Sequence, residues 1–206
     1  MPGAPRRVLP CGDAALLIEV EGLDVVLALA DAVRSAELDR VLDVVPGART
    51  VLLTVEPGTD LGALRRTVLD LTVEPGAAQV DAGSVEIPVV YDGPDLDEVG
   101  TLTGLGADGV VAAHTGTPWR VSFGGFAPGF AYLSGGDPRL DVERRSEPRT
   151  SVPAGSVGLA GEYSGVYPRS SPGGWQLIGR TDVRLWSDED GALLRPGGEV
   201  RFVAVS

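Results

Sequence analysis

Gly124-Gly125-Phe126-Ala127-Pro128-Gly129-Phe130-Ala131-Tyr132-Leu133 (124–133) sets three glycines and one proline among three aromatic rings. Glycine permits positive φ and close backbone approach, proline fixes φ, and aromatics supply rigid walls, so the stretch describes a shaped loop between short strands. Two further stretches share this character, Ser151 to Gly158 and Ser171 to Thr181. Together, residues 119–181 hold 8 of the 11 aromatics, 12 of the 29 glycines and 6 of the 16 prolines. Flexible linkers are rarely so aromatic. From Trp119 onward there is no long helical period. Short strands are expected near Trp119–Phe123, Ser156–Ala160, Trp175–Ile178, Val183–Trp186 and Val200–Val205, with a tight turn between Leu194 and Val200. Closely spaced short strands indicate a barrel or sandwich.

The preceding chain reads differently. Alternation predicts a strand at Ala15–Val20, and apolar Val25, Val26, Leu29 and Val33 predict a helix over Asp24–Ala36. Val41–Val45 and Thr50–Val55 flank Pro46-Gly47 as a hairpin, and Gly58-Thr59-Asp60 opens a helix over Leu61–Leu71. With a strand at Val85–Val90 the order is β-α-β-β-α-β, a sheet covered by helices. The Glu74-Pro75-Gly76 break places the boundary near Gly83, giving an α+β N-terminal domain (1–83) followed by a mostly-β domain (84–206). Within the second, Asp95 and Glu98 predict a capping box for a short helix to Thr103, and Asp108 a cap for another over Gly109–His114.

Composition narrows the function. The net charge of −12 comes from the first half: residues 1–110 hold 19 acids and 7 arginines, residues 111–206 hold 10 of each. Nucleic acid and anionic membrane both require a basic stripe, so neither is an expected partner. No apolar run reaches the roughly 20 residues of a bilayer span, and the beginning lacks a signal peptide's apolar stretch, which predicts a cytoplasmic protein. Cys11, the single cysteine, permits no internal disulfide. All 17 basic residues are arginine. Without lysine the chain holds no P-loop, no Schiff base, no Ser/Lys amidase pair and no biotinyl group. Within 119–181 arginines outnumber acids 7 to 5, which suits a carboxylate or phosphate ligand. Arg139, Arg144 and Arg145 read as a solvated face of mixed charge.

His114 is the only histidine, so any Ser/His/Asp or Cys/His scheme passes through it and a zinc centre is not expected. At the end of a short helix its protonated form would be favoured; a structural role and a role as anion binder or proton donor are both open to it. The glycine-rich loop Gly124–Phe130 fits either an amide nest for an oxyanion or a barrel corner. Ala154 breaks the Gly-x-Ser-x-Gly pattern around Ser156, so Ser156 reads as a hydrogen-bonding residue. Ser171-Pro172-Gly173-Gly174-Trp175 suits a pocket rim, although Trp175 could equally fill the barrel. Arg149 and Arg180 could hold a ligand carboxylate or pair with Asp182 or Glu147.

Three segments, Gly125 to Leu133, Pro148 to Gly158 and Ser171 to Thr181, resemble in order and spacing the family of the 5-oxoprolinase B subunit, also called allophanate hydrolase subunit 1 or the sporulation-kinase inhibitor family. Gly12 to Leu17 and Leu194 to Gly197 extend the resemblance more weakly. It implies a small α/β domain before a cyclophilin-like β-barrel, with two partners: the similarly folded 5-oxoprolinase C subunit, and a separate A subunit. It also implies a hydrolase activity in which 5-oxo-L-proline is opened to L-glutamate with ATP hydrolysis, the lactam oxygen being phosphorylated so that water can displace it. By the same resemblance the site lies in the barrel, with His114, Arg149 and Ser156 in catalytic roles. Phe126, Pro128, Gly129, Phe130, Ser171, Gly173, Gly174, Trp175 and Arg180 would bind the small-molecule ligand, with no metal. Family names imply two alternatives: a regulator that inhibits a sensor histidine kinase, and a carboxyltransferase half-site of the allophanate and urea pathways whose biotin resides elsewhere.

Overall fold

The computed structural model describes residues 7–73 and 83–206, which divide between two compact units. The first contains β1 (Arg7–Pro10), β2 (Ala15–Glu19), α1 (Leu23–Ser35), β3 (Val41–Pro46), β4 (Thr50–Val55) and α2 (Leu61–Asp70). Its four strands form an antiparallel sheet in the order β1-β2-β4-β3. Strand alternation buries Leu16, Ile18, Val51 and Leu53 together with Val26, Leu29, Ala30 and Val33 of α1, spaced i, i+3, i+4 and i+7. The Asp60 carboxylate caps α2, accepting from the Gly62 and Ala63 amides at 2.9 Å each, and these bonds lower its pKa.

The second unit comprises β5 (Ser84–Val89), α3 (Leu96–Thr103), α4 (Gly106–Gly116), β6 (Trp119–Gly124), β7 (Ala131–Ser134), β8 (Arg149–Val152), β9 (Ser156–Ala160), β10 (Tyr163–Val166), β11 (Ser171–Gly173), β12 (Gln176–Arg180), β13 (Trp186–Ser187), β14 (Gly191–Ala192) and β15 (Glu199–Ala204). Seven strands make one sheet in the order β12-β9-β10-β7-β6-β15-β5, and β8 pairs with β11 separately. The sheet curls until its two ends nearly meet. Val90 and Arg180 exchange both backbone hydrogen bonds at 2.9 Å, the Gly93 amide donates to Ile178 O at 3.2 Å, and the Asp95 amide donates to Leu177 O at 3.0 Å. Ile87, Trp119, Leu133, Leu159, Ile178 and Phe202 fill this nearly closed barrel, joined by Val99 of α3 and Val110 of α4.

Several expectations change here. The strand predicted at Val85–Val90 does not complete the first sheet: β5 runs parallel to β15 and buries Ile87 and Val89 in the barrel core. The fourth strand of the first unit is instead β1, which sequence patterning does not announce. The Glu74-Pro75-Gly76 break lies outside the described residues. Helix α4 starts earlier and ends later than predicted, so Asp108 stands in its first turn and His114 stands inside it. The strand expected at Val183–Trp186 shrinks to the two residues of β13. Among the described residues no helix is long and apolar enough to cross a membrane.

Closure demands a residue without a side chain where the 90–95 segment lies on β12. A Cβ at Gly93 would lie 2.3 Å from Ile178 C and 2.4 Å from Leu177 O. Gly93→Ala is expected to destabilise the barrel unit by about 1–3 kcal/mol, the usual cost of overpacking. Urea unfolding followed by tryptophan fluorescence reads this, all three tryptophans being in that unit.

Candidate functional site

The loop after β6 is built from two tight turns. The Phe130 amide donates to Ala127 O at 2.9 Å across Pro128-Gly129, and Gly129 has φ +82°, the geometry of a type II turn. The Ala127 amide donates to Gly125 O at 2.7 Å across Phe126, whose φ of +66° marks the rare strained γ-turn. The Gly125 amide donates to Phe130 O at 3.3 Å. Three amides of the loop are thus consumed internally, so the loop is a corner and not the amide nest offered by the sequence. Its product is the placement of two rings. Phe126 projects at 57% exposure while Phe130 is buried at 4%.

Phe130 is the hub of an aromatic cluster. Its ring meets those of Phe126, Tyr132, Tyr167 and Trp175 edge to face, with centroids 5.1–5.5 Å apart. Each such contact contributes about 0.5–1.5 kcal/mol beyond burial and fixes ring orientation. These rings, with Arg144 and the Pro172-Gly173-Gly174 segment at the end of β11, line a cleft of about 110 Å³. Gly173 is required by contact: a Cβ there would lie 2.4 Å from the Tyr167 hydroxyl. Burial pushes the Tyr167 phenol above its ordinary pKa, opposed by a hydrogen bond with the Trp175 backbone and by the Arg144 and Arg149 charges, so it stays protonated at neutral pH.

The cleft gathers Phe126, Phe130, Gly173, Gly174 and Trp175 from the expected ligand residues, whereas Pro128 and Gly129 form the turn between its two phenylalanines, with Gly129 packed against Leu185 and Trp186. Ser171 begins β11, the strand that brings Pro172 and Gly173 to the cleft, and its Oγ is buried without a partner. The other candidates are elsewhere. Ser156 is buried in β9, its carbonyl accepting from the Tyr167 amide at 2.9 Å. Arg180 is exposed and pairs with Asp92 at 2.9 Å, not with Asp182 or Glu147.

His114 is fully buried. Nδ1 lies 2.7 Å from the Tyr91 hydroxyl, Nε2 lies 2.8 Å from Ser164 Oγ, and the ring stacks on Phe202 with centroids 4.2 Å apart. Burial pushes its pKa down from 6.5 to about 3, so it is neutral, contrary to the protonated helix-end residue the sequence suggests. Both ring nitrogens are occupied by protein partners, which makes it a satisfied core residue.

Arg149 meets neither Glu147 nor Asp182. Its Nη2 donates to Asp95 Oδ1 at 2.7 Å, and Arg145 Nη1 donates to the same oxygen at 2.9 Å. Asp95 Oδ2 accepts from the Leu177 amide at 2.6 Å, and the residue is 2% exposed. Its side chain therefore makes none of the cap bonds expected at the start of α3. Arg145 Nε and Arg149 Nη1 are buried without further partners, and Glu98 stands 3.8 Å from Arg145. Sequence reasoning misses Asp95, Tyr132, Arg144 and Tyr167 as members of the site. The signal for Asp95 is its place in Gly93-Pro94-Asp95, overshadowed there by its resemblance to a cap.

Chemically the cleft offers aromatic faces, glycine backbone and one guanidinium, with no nucleophile beside a base among its described lining residues. No group of three or more His, Cys, Asp or Glu among the described residues is placed to hold a metal. The arrangement suits the binding and orientation of a small, flat, anionic ligand.

Residues 6–194 match the family model of the carboxyltransferase domain, subdomains C and D. The 5-oxoprolinase B subunit of Escherichia coli O157:H7 is 40% identical over 204 residues, 93% of this chain and 93% of that protein. The 5-oxoprolinase B subunit of Bacillus subtilis (strain 168) is 47% identical over 133 residues, 62% of this chain and 55% of that protein. Among solved structures, TTHA0988 aligns with a TM-score of 0.78 at 38% identity, over 93% of this chain and 40% of its own length. This chain therefore spans less than half of that protein. Urea amidolyase of K. lactis aligns with a TM-score of 0.74 at 18% identity, over 98% of this chain and 15% of its own, a likeness of fold.

The His114 geometry predicts a pH dependence of stability. Between pH 6.5 and about 3 the unfolded chain takes up a proton at His114 that the folded chain refuses, so stability falls as pH falls through that window. At up to 1.36 kcal/mol per pH unit, the native protein should lose about 2 kcal/mol more than His114→Gln between pH 7 and 5. Urea midpoints of both proteins across that range provide the measurement.

Proposed function

Since the chain belongs to the family of the 5-oxoprolinase B subunit, whose shared module is the carboxyltransferase domain, subdomains C and D, we propose that its barrel supplies the lactam-binding cleft of an ATP-dependent 5-oxoprolinase. The observation that carries this reading is the cleft itself, aromatic walls around one guanidinium with no nucleophile and base pair among its described lining residues. A five-membered lactam carrying one carboxylate has the matching form. Its flat amide lies against the rings of Phe130, Tyr132 and Trp175, its carboxylate bonds Arg144, and Gly173 and Gly174 let its edge approach backbone. The neutral Tyr167 hydroxyl, beside Gly173, would offer that edge a protonated group.

In this reading the cleft takes the lactam and not a nucleoside triphosphate. About 110 Å³ falls well below the roughly 300 Å³ at which ordinary small-molecule sites begin. The glycine-rich loop also spends three amides on itself, leaving no row to cradle phosphates. In this reading the nucleotide is handled by homologues of the 5-oxoprolinase C and A subunits, and the chain alone does not turn over. His114 and Ser156 belong to the barrel's framework and take no part in the chemistry.

Co-expression with homologues of those two partners, followed by assay of glutamate release from 5-oxoproline, tests this. Release should require all three chains and ATP, and a well-folded complete assembly without turnover would overturn the reading. Arg144→Ala should raise KM for 5-oxoproline by about 10- to 100-fold, the loss of one charge-assisted hydrogen bond, with an unchanged circular dichroism spectrum.

A second reading, carboxyl transfer, is favoured by the description of the matching family model. With no lysine in this chain, the biotin would be carried by another chain. Avidin separates the two readings: it should stop carboxyl transfer and leave lactam opening untouched.

A further inference from the structure

Three segments that form the cleft are tied to a single buried carboxylate outside it. The Arg144 side of the cleft is held through the next residue, for Arg145 Nη1 donates to Asp95 Oδ1 at 2.9 Å while its amide donates to Gly174 O at 2.8 Å. The Pro172-Gly173-Gly174 wall is held through the β8 and β11 pair, where Gly173 sits opposite Arg149, whose Nη2 donates to the same oxygen at 2.7 Å. The Trp175 floor is held two residues on, where the Leu177 amide donates to Asp95 Oδ2 at 2.6 Å. We propose that Asp95 is the positioning residue of the ligand cleft, setting the spacing of Arg144, the Gly173-Gly174 segment and Trp175 without touching the ligand.

The chemistry favours a carboxylate here over any other side chain. Two guanidiniums from residues 145 and 149 converge on one oxygen, and a backbone amide from a different strand takes the other, so both oxygens accept from cleft-forming segments. An asparagine of the same size would turn an N–H toward either the arginines or the Leu177 amide. Glutamate, longer by a methylene, would push the segment carrying Arg145 and Arg149 away from β12. Asp95 itself is anchored independently, its amide donating to Leu177 O and its carbonyl accepting from the Val99 amide at 2.8 Å. The backbone frame thus survives loss of the carboxylate, and what is lost is the register of the three segments.

Amide hydrogen exchange on the full chain is the first test. In Asp95→Ala, residues 143–149 and 171–177 should exchange about tenfold faster or more, while β6 and β15 exchange as in the native protein. Unchanged rates in those two segments, or an equal rise through the whole barrel, overturn the proposal. Should Asp95→Ala fail to fold, Asp95→Asn decides by the same criterion. The second test rests on the 5-oxoprolinase reading and uses a double-mutant cycle with Arg144→Ala in the reconstituted assembly. Asp95→Asn should raise KM for 5-oxoproline about tenfold with little change in kcat, and Arg144→Ala should then add almost nothing. Fully additive effects would mean that Asp95 acts on stability alone and would refute positioning. If the native assembly does not act on 5-oxoproline, the functional reading fails while hydrogen exchange still decides the role of Asp95.

Discussion

The barrel depends on the antiparallel contact between residues 90–95 and 177–180. A seven-stranded sheet with open ends would leave unpaired donors and acceptors along β5 and β12, each costly if buried and aggregation-prone if exposed. The reciprocal Val90 and Arg180 bonds, followed by Gly93 to Ile178 and Asp95 to Leu177, satisfy the ends against each other. Gly93 makes the approach sterically possible, and Pro94 follows it in a tight turn into α3, closed by the Leu96 amide donating to Gly93 O at 3.1 Å. Within this unit, the segment that carries Arg144 and Arg145 is tied to the same seam through Asp95.

The cleft sits in a second apolar cluster distinct from the barrel core, around Phe130, Tyr167 and Trp175. The rings touch edge to face, so their faces and edges are already committed in fixed directions before any ligand arrives. Such preorganisation lowers the ordering cost of binding for any ligand that the cleft takes. The chemistry of bond breaking requires groups that the cleft's described residues do not bring together, which accords with membership of a multi-subunit enzyme family.

The parts of this molecule legible in the sequence are those that depend on local patterning. Helix α1 is visible in its apolar spacing, the Thr50–Val55 strand in its apolar run, and the turn at Pro128-Gly129 in its composition. The members of β8, β10 and β11 are not, because Pro153, Gly165 and Pro172 disturb alternation and pairing alone makes those residues strands. The site shows the same division. Phe126, Phe130, Gly173, Gly174 and Trp175 are legible because rings and glycines are rare signals in one place. His114 misleads because its helix continues two residues beyond it, and its depth in the core depends on Tyr91, Ser164 and Phe202, residues far apart in the chain. Asp95 misleads because a cap and a long-range ion pair use the same residue type at the same place.

Phe126 carries one more implication. A phenylalanine at φ +66° costs roughly 1–3 kcal/mol that glycine would not, and at 57% exposure the residue offsets that cost only through its edge-to-face contacts with Phe130 and Tyr167. Glycine at this position would ease the turn while erasing the outer edge of the cleft. The residue marks a place where backbone ease and the shape of the cleft oppose each other, and where selection for a more relaxed turn would strip away the cleft's outer edge.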